Sequence, residues 1–267
     1  MNDARVRHVI KIGGELTGQG ADIGRLAATL RADNASFILV HGGGPAVDAL
    51  QVRLGQKPVK VDGMRRTDSK ALEAALMVLC GSVNKALTGG LMAAGVPAFG
   101  LSGVDAGVIR CRRMSSDDVD LGQVGEVVEV RVDVLDGLLA MRLVPVMAPL
   151  SLGLDGSIYN VNADQVASHV AQACRAESLT FVSGVSGVLM NGALVPEISA
   201  DEAARLIDGG DIRDGMVPKV RAALEALGGG VDTVRILDLD GIGNGGGTTV
   251  RLHAGDRNLA GGRCYDA

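Results

Sequence analysis

The chain has no Trp and only two Tyr and three Phe among its 267 residues. A nucleic-acid surface relies on basic clusters and usually on stacking rings, and a formal net charge of −5 supplies neither. Nucleic acid is therefore not an expected partner. The four cysteines, Cys80, Cys111, Cys174 and Cys264, are scattered, with no CxxC and no Cys/His ligand spacing. That excludes a disulfide framework and a zinc site and fits buried thiols in a reducing cytoplasm. Arg5, Arg7 and Lys11 interrupt any apolar run at the start, so no signal peptide is read. No stretch approaches the roughly 18 apolar residues of a membrane span, and a cytoplasmic protein without a membrane partner is expected. Neither GxxxxGKS/T nor a GxGxxG after the first strand occurs, which removes the P-loop and the dinucleotide fingerprint. The four histidines, His8, His41, His169 and His253, form no Ser/His/Asp or Cys/His set, and each is read as structural.

What is present is a chain that is 47% hydrophobic, long enough to bury a substantial core. Short β-branched runs recur at Val6 to Ile12, Phe37 to Val40, Pro97 to Leu101, Leu143 to Val146, Leu179 to Val182 and Val234 to Leu237. Helical spacing lies between most of them, at Asp22 to Arg31, Pro45 to Leu54, Asp68 to Leu91, Asp164 to Cys174, Ala200 to Ile207 and Pro218 to Leu227. Alternation of this kind predicts a parallel sheet. Between Val108 and Val132 the Val/Glu/Arg text predicts antiparallel hairpins laid over the sheet edge.

Tyr159-Asn160-Val161-Asn162-Ala163-Asp164 sets two amides and a carboxylate at alternating positions just before a helix. An extended segment points residues i, i+2 and i+4 the same way, so Asn160, Asn162 and Asp164 are expected to face one cleft. Capping of the helix by Asn162 or Asp164 is the plainer alternative. Lys11-Ile12-Gly13-Gly14 ends the first strand in two glycines, and His41-Gly42-Gly43-Gly44-Pro45 ends the second in three. Bare backbone admits an anion closely, and the helix opening at Pro45 adds its positive dipole end. The two loops read as a phosphoryl cradle with Lys11 as its cation. Lys219, in Gly215-Met216-Val217-Pro218-Lys219, stands at a helix start where a cation is unfavourable unless an anion lies near; a solvated helix-end Lys is the alternative. Arg65 suits a substrate carboxylate, with Arg66 a competitor for that role. The lack of a histidine base fits a carboxylate nucleophile, which is already ionised at neutral pH. The catalytic demand then becomes holding two anions in line and neutralising the moving phosphoryl group.

Lys11-Ile-Gly-Gly, His41-Gly-Gly-Gly-Pro, Gly63-Met-Arg-Arg-Thr, Asn160-Val-Asn-Ala-Asp and Gly215-Met-Val-Pro-Lys, in this order, resemble the amino acid kinase family over roughly residues 6 to 250. Val83-Asn84-Lys85, Gly100-Leu-Ser-Gly-Val-Asp-Ala-Gly and Leu121-Gly-Gln-Val-Gly-Glu-Val look like the branch that acts on N-acetyl-L-glutamate. The resemblance implies an α/β fold: a three-layer αβα sandwich with a mainly parallel central sheet and a β-hairpin lid. It implies one domain over 1–267, with the acyl acceptor bound by residues to about 176, the nucleotide by about 177–252, and a tail at 253–267. The implied reaction moves the γ-phosphoryl of ATP to the acceptor's side-chain carboxylate, the second step of arginine biosynthesis, with Mg²⁺ held mainly by the phosphates.

By the same resemblance Lys11 and Lys219 would stabilise the transferring group, and Asp164 would hold both lysines. Gly43, Gly44, Arg65, Asn160 and Asn162 would bind the acceptor, Arg65 taking its α-carboxylate. Gly13 and Gly14 would meet the phosphates, Gly14 and Gly43 through backbone N–H groups. Ser183, Gly184, Val185, Ser186, Gly187, Leu189, Ile212 and Met216 would lie along the nucleotide. No metal-ligating residue is assigned. The family commonly carries Asp where Gly184 stands, so one nucleotide contact is expected to be missing. The chain also starts almost at its first strand, without the N-terminal helix of arginine-inhibited hexameric relatives, which implies an arginine-insensitive homodimer. Two rival readings remain: a sister kinase acting on a carrier-linked aminoadipate or glutamate, and a nonenzymatic nucleotide-binding module of the same fold.

Overall fold

A strand with no polar alternation needs apolar cover on both faces, and the second strand has it: Ile38, Leu39 and Val40 are all fully buried. The computed structural model describes residues 7–14, 20–61, 63–115, 119–213 and 215–252. Asp62, Asp214 and the expected tail from His253, with Cys264, lie outside the described residues.

The chain runs β1 (Arg7–Ile12), α1 (Gly20–Ala32), β2 (Ser36–His41), α2 (Gly44–Arg53), and the hairpin β3 (Lys60–Val61) and β4 (Met64–Arg65). A long helical rod follows as α3 (Ser69–Ala75), a π-helical segment (Leu76–Val83) and α4 (Asn84–Ala93). Next come β5 (Ala98–Gly103), β6 (Ile109–Arg113), β7 (Gly125–Val130), α5 (Val132–Ala140), β8 (Val144–Gly153), β9 (Ile158–Asn160) and α6 (Ala163–Ala173). The chain closes with β10 (Ser178–Val182), β11 (Leu189–Met190), β12 (Ala193–Leu194), β13 (Glu197–Ser199), α7 (Ala200–Asp208), α8 (Met216–Gly228), β14 (Thr233–Leu237) and β15 (Thr248–Arg251).

Among the described residues the main sheet has 11 strands in the order β13-β15-β14-β10-β1-β2-β8-β6-β7, with β5 and β9 also paired to β8. β14, β10, β1, β2 and β8 are parallel neighbours. One apolar cluster, containing Val166, Val170, Phe181 and Leu227, covers one face. Another, containing Leu26, Leu30, Leu87 and Leu91, covers the other. Each fully buried large side chain of this kind is worth about 1.5–3 kcal/mol of transfer free energy, which fixes the three layers as the resemblance implied.

Three expectations need correcting. β6 and β7 do pair antiparallel, but β6 also pairs in parallel with the far end of β8, so this hairpin extends the main sheet instead of lying over it. β8 allows this because it runs on to Gly153, well past Val146; the hairpin that stands apart over the strand ends is β3–β4. The second correction is α5, which the alternating text before it obscured; its Leu135 is fully buried. Finally, the rod Ser69–Ala93 is long and apolar enough, by length and composition, to cross a membrane. Here it packs against β5 and β8 and buries Leu79, Leu87 and Leu91.

Candidate active site

Because β1 and β2 are adjacent and parallel, their carboxyl ends bring the two glycine loops side by side. Open α/β sheets bind ligands in the crevice at such strand ends. Gly42 N–H donates to Ile12 O at 2.9 Å and Gly13 N–H to Val182 O at 2.8 Å, tying both loops to the sheet. A Cβ on Gly14 would lie 2.6 Å from Gly43 N, and one on Gly43 would lie 2.5 Å from Leu79 Cδ2. Gly43 also has φ +155, a backbone state that side chains disfavour. Glycine is required for the two loops to stack this closely.

Asp164 stands over this stack in the first turn of α6. Its Oδ1 is 2.7 Å from Lys11 Nζ and its Oδ2 is 3.9 Å from Lys219 Nζ. Lys11 and Asp164 are 6% and 7% exposed, so their pair is nearly dry. The capping alternative falls on Asn162 and not on Asp164. Asn162 is the cap, its Oδ1 accepting from Asp164 N at 2.8 Å and Gln165 N at 3.4 Å, which leaves the Asp164 carboxylate to the lysines. Lys219 sits in the first turn of α8, with Nζ also donating to Gly215 O at 3.4 Å. Two cations held by one carboxylate leave a net positive centre, suited to an incoming phosphoryl group.

On the β2 side lies a cavity of about 240 Å³ lined by Lys11, Gly14, Gly43, Gly44, Arg65, Asn160, Asn162 and Asp164. Apolar Val47, Leu79, Val124 and Pro149 complete its wall. Of the two arginines, Arg65 is buried and lines this cavity, while Arg66 is exposed and does not. Arg65 donates to Gln51 Oε1 at 2.6 Å and to Gly44 O at 3.0 Å and pairs with Asp48, whose other oxygen takes Lys60 at 3.0 Å. Burial alone would raise the Asp48 carboxyl, but the Lys60 and Arg65 hydrogen bonds outweigh it and hold it below the usual carboxylate range. Asn160 Nδ2 donates to Thr67 Oγ1 at 3.2 Å.

On the β10 side a second cavity of about 320 Å³ is lined by Ser183, Gly184, Val185, Arg213, Gly215, Met216 and Lys219. Of the residues expected along the nucleotide, Ser186, Gly187, Leu189 and Ile212 are not part of this wall. Ser186 is exposed and Leu189 is 50% exposed. Gly187 is buried, with Thr248 Oγ1 2.6 Å from where its Cβ would stand. Ile212 is 4% exposed and packs in the core, its N–H bonded to Leu206 O at 3.0 Å. A third cavity of about 1110 Å³ shares Asp164 with the first and Gly215 with the second. All three therefore open near the Lys11, Asp164 and Lys219 cluster.

Sequence reasoning missed Asp48, Gln51 and Lys60, and placed Arg213 only within the segment Asp211 to Met216 expected along the adenine and ribose. A signal existed for two of them: Gly44, Asp48 and Gln51 fall at i, i+4 and i+7 on α2, one helical stripe ending in a Gln that is only 4% exposed. Lys60 carried no local mark.

The model of the amino acid kinase family matches residues 7–238. The chain belongs to the amino acid kinase family. Among relatives in that family, the acetylglutamate kinase of Roseiflexus sp. strain RS-1 is 45% identical over 93% of this chain and 95% of its own. The acetylglutamate kinase of Methanopyrus kandleri is 41% identical over 91% of this chain and 99% of its own. A solved protein of Streptococcus mutans UA159 superposes with TM-score 0.82 at 30% identity, covering 92% of this chain and 98% of that one.

Proposed function

We propose that this kinase transfers the γ-phosphoryl group of ATP to the side-chain carboxylate of N-acetyl-L-glutamate, giving N-acetyl-L-glutamyl 5-phosphate and ADP. Near full-length likeness to acetylglutamate kinases supports the reading. The observation that carries it is one buried carboxylate, Asp164, holding two lysines between an acceptor-sized cavity and a second cavity on the far side of β1. The acceptor's α-carboxylate lies against the Arg65 guanidinium, already oriented by Asp48 and Gln51, and Asn160 and Asn162 flank it. The apolar wall of Val47, Leu79 and Val124 receives the acetyl group.

The nucleotide lies in the cavity of Ser183, Gly184, Val185 and Met216, with its phosphates reaching toward Lys219 and Gly14. An acceptor carboxylate oxygen attacks the γ-phosphorus, the O–P bond forms, and the bond to the β-phosphate oxygen breaks to release ADP. No proton moves, so no base is needed. Lys11, Lys219 and the backbone N–H groups of Gly14 and Gly43 offset charge on the moving group, an effect that commonly supplies several kcal/mol of barrier lowering. Mg²⁺, held mainly by the nucleotide phosphates, would neutralise their charge further; Asp164, engaged by both lysines, fits a site that meets phosphate with ammonium groups. The acceptor part to about residue 176 and the nucleotide part from about 177 divide at the end of α6. The step belongs to arginine biosynthesis and the protein works in the cytoplasm as a homodimer; the half-exposed Met92 and Phe99 on α4 and β5 offer it an apolar surface.

The test is to incubate the purified protein with Mg-ATP and N-acetyl-L-glutamate and trap acyl phosphate as the hydroxamate, with L-glutamate, L-aspartate and L-2-aminoadipate as rival acceptors. Hydroxamate chiefly from N-acetyl-L-glutamate is expected. None from any acceptor, in protein that binds ATP, would favour the carrier-linked kinase or the nonenzymatic module.

A further inference from the structure

The residue before the three glycines, His41, is wholly buried. Its Nδ1 lies 2.8 Å from Gly42 O and its Nε2 lies 3.1 Å from Asn84 Nδ2. A carbonyl only accepts, so Nδ1 carries the proton and Nε2 accepts from the amide. Burial holds this ring neutral, with its pKa lowered to about 4, and Lys11 on β1 and Lys85 on α4 push the same way. Asn84 Nδ2 has two hydrogens; besides His41 it donates to Val146 O at 2.8 Å, with Leu101 O at 3.3 Å sharing one of them, and its Oδ1 accepts from Lys85 Nζ at 3.0 Å. One amide therefore joins the end of β2 to β5 and β8. It is packed so tightly that a Cβ on Gly100 would fall 2.3 Å from its Oδ1.

The helical rod that delivers Asn84 also delivers the other support of the loop. A π-helical segment adds a residue to the turn and often marks a functional site; here it directly precedes Asn84 and sets Leu79 and Val83 against Gly43. The glycine loop is therefore held from its carbonyl side by His41 and from beneath by the rod. We propose that Asn84, acting through His41, is a positioning residue that holds the Gly42–Gly44 backbone in register for phosphoryl transfer. This rests on the function proposed above. Backbone donors in such a loop act only if aimed at the developing charge, and a displacement near 1 Å costs about 100-fold in rate.

The experiment compares wild type with Asn84→Ala, His41→Gln and His41→Leu by steady-state kinetics, with circular dichroism and melting to establish folding. Asn84→Ala is expected to lower kcat about tenfold or more, while the acceptor KM, set by Arg65, moves by less than about twofold. His41→Gln, whose Oε1 still accepts from Asn84, is expected to retain several times the kcat of His41→Leu. Long-range ¹⁵N–¹H spectra of labelled histidine are expected to show Nδ1 protonated and Nε2 bare in the wild type at pH 6, and tautomer averaging in Asn84→Ala. A folded Asn84→Ala with wild-type kcat, or one that lowers only melting temperature, would overturn the proposal. If that variant does not fold, equal kcat in His41→Gln and His41→Leu would do so. Wild type that makes no hydroxamate would refute the function, and the tautomer spectra would still judge the clamp.

Discussion

Asp164 and Lys219 meet in one contact, yet they should fail differently. Removing Asp164 leaves the Lys11 ammonium in a dry pocket with its partner gone, and breaking a buried pair in this way costs about 3–5 kcal/mol. Asp164→Ala should thus lower both kcat and denaturant-measured stability. Lys219 is more exposed, at 18% for its side chain, and Lys219→Ala should cut kcat by about 100-fold or more with the melting temperature almost unchanged. Wild-type turnover in Lys219→Ala would mean the group does not act on the transition state.

His41 makes a prediction about pH. Its folded value near 4 lies below the ordinary 6.5, so between those values the unfolded chain binds more protons. The neutral ring's contribution is therefore complete above about pH 6.5 and is lost as pH falls through 4, a total of about 3 kcal/mol. The acid limb of the wild-type stability curve should be steeper than that of His41→Gln by this amount. The residue type alone left Arg65 and Arg66 as competitors and the resemblance pointed to Arg65; that Arg65 is buried and Arg66 exposed depends on which way the folded hairpin turns adjacent residues.

Among elements, α6 is the best recorded in the sequence, since an amide immediately before a striped helix is a start signal. Asn162→Ala should cost about 1 kcal/mol in denaturant unfolding, while Asn162→Ser, which keeps an accepting oxygen, should lose a few tenths. An equal loss from both would show that the cap geometry is not what matters. The glycine loops were legible as anion-ready turns, but their stacking was not. Gly14→Ala is expected to drive the loops apart, because its Cβ would meet backbone that cannot rotate away, and to reduce kcat far more than KM for the acceptor. The β6–β7 hairpin was visible as alternating text, yet its place beside β8 depended on how far β8 runs, which no pattern within the hairpin encodes.

For the molecule as a whole, two cavities flank one lysine-bearing carboxylate, so nucleotide and acceptor should each stabilise the fold by mass action. ADP at 100 times its dissociation constant should raise the unfolding free energy by about 2.7 kcal/mol, and Lys219→Ala should weaken that gain at the same ADP concentration. No shift in the wild type would place the nucleotide elsewhere. Hydrophobic period, glycine at strand ends and helix-start chemistry are local properties, and they were sufficient for the parallel sheet and the candidates Lys11, Asp164 and Lys219, while the three layers were implied by the resemblance. The pairing of Asp48 with Arg65, the removal of Ile212 into the core, and the link from Asn84 to His41 join residues that lie far apart in the chain or depend on which way a side chain turns. These were decided by packing, because burial leaves each polar group only the partners that the folded sheet and helices bring to it.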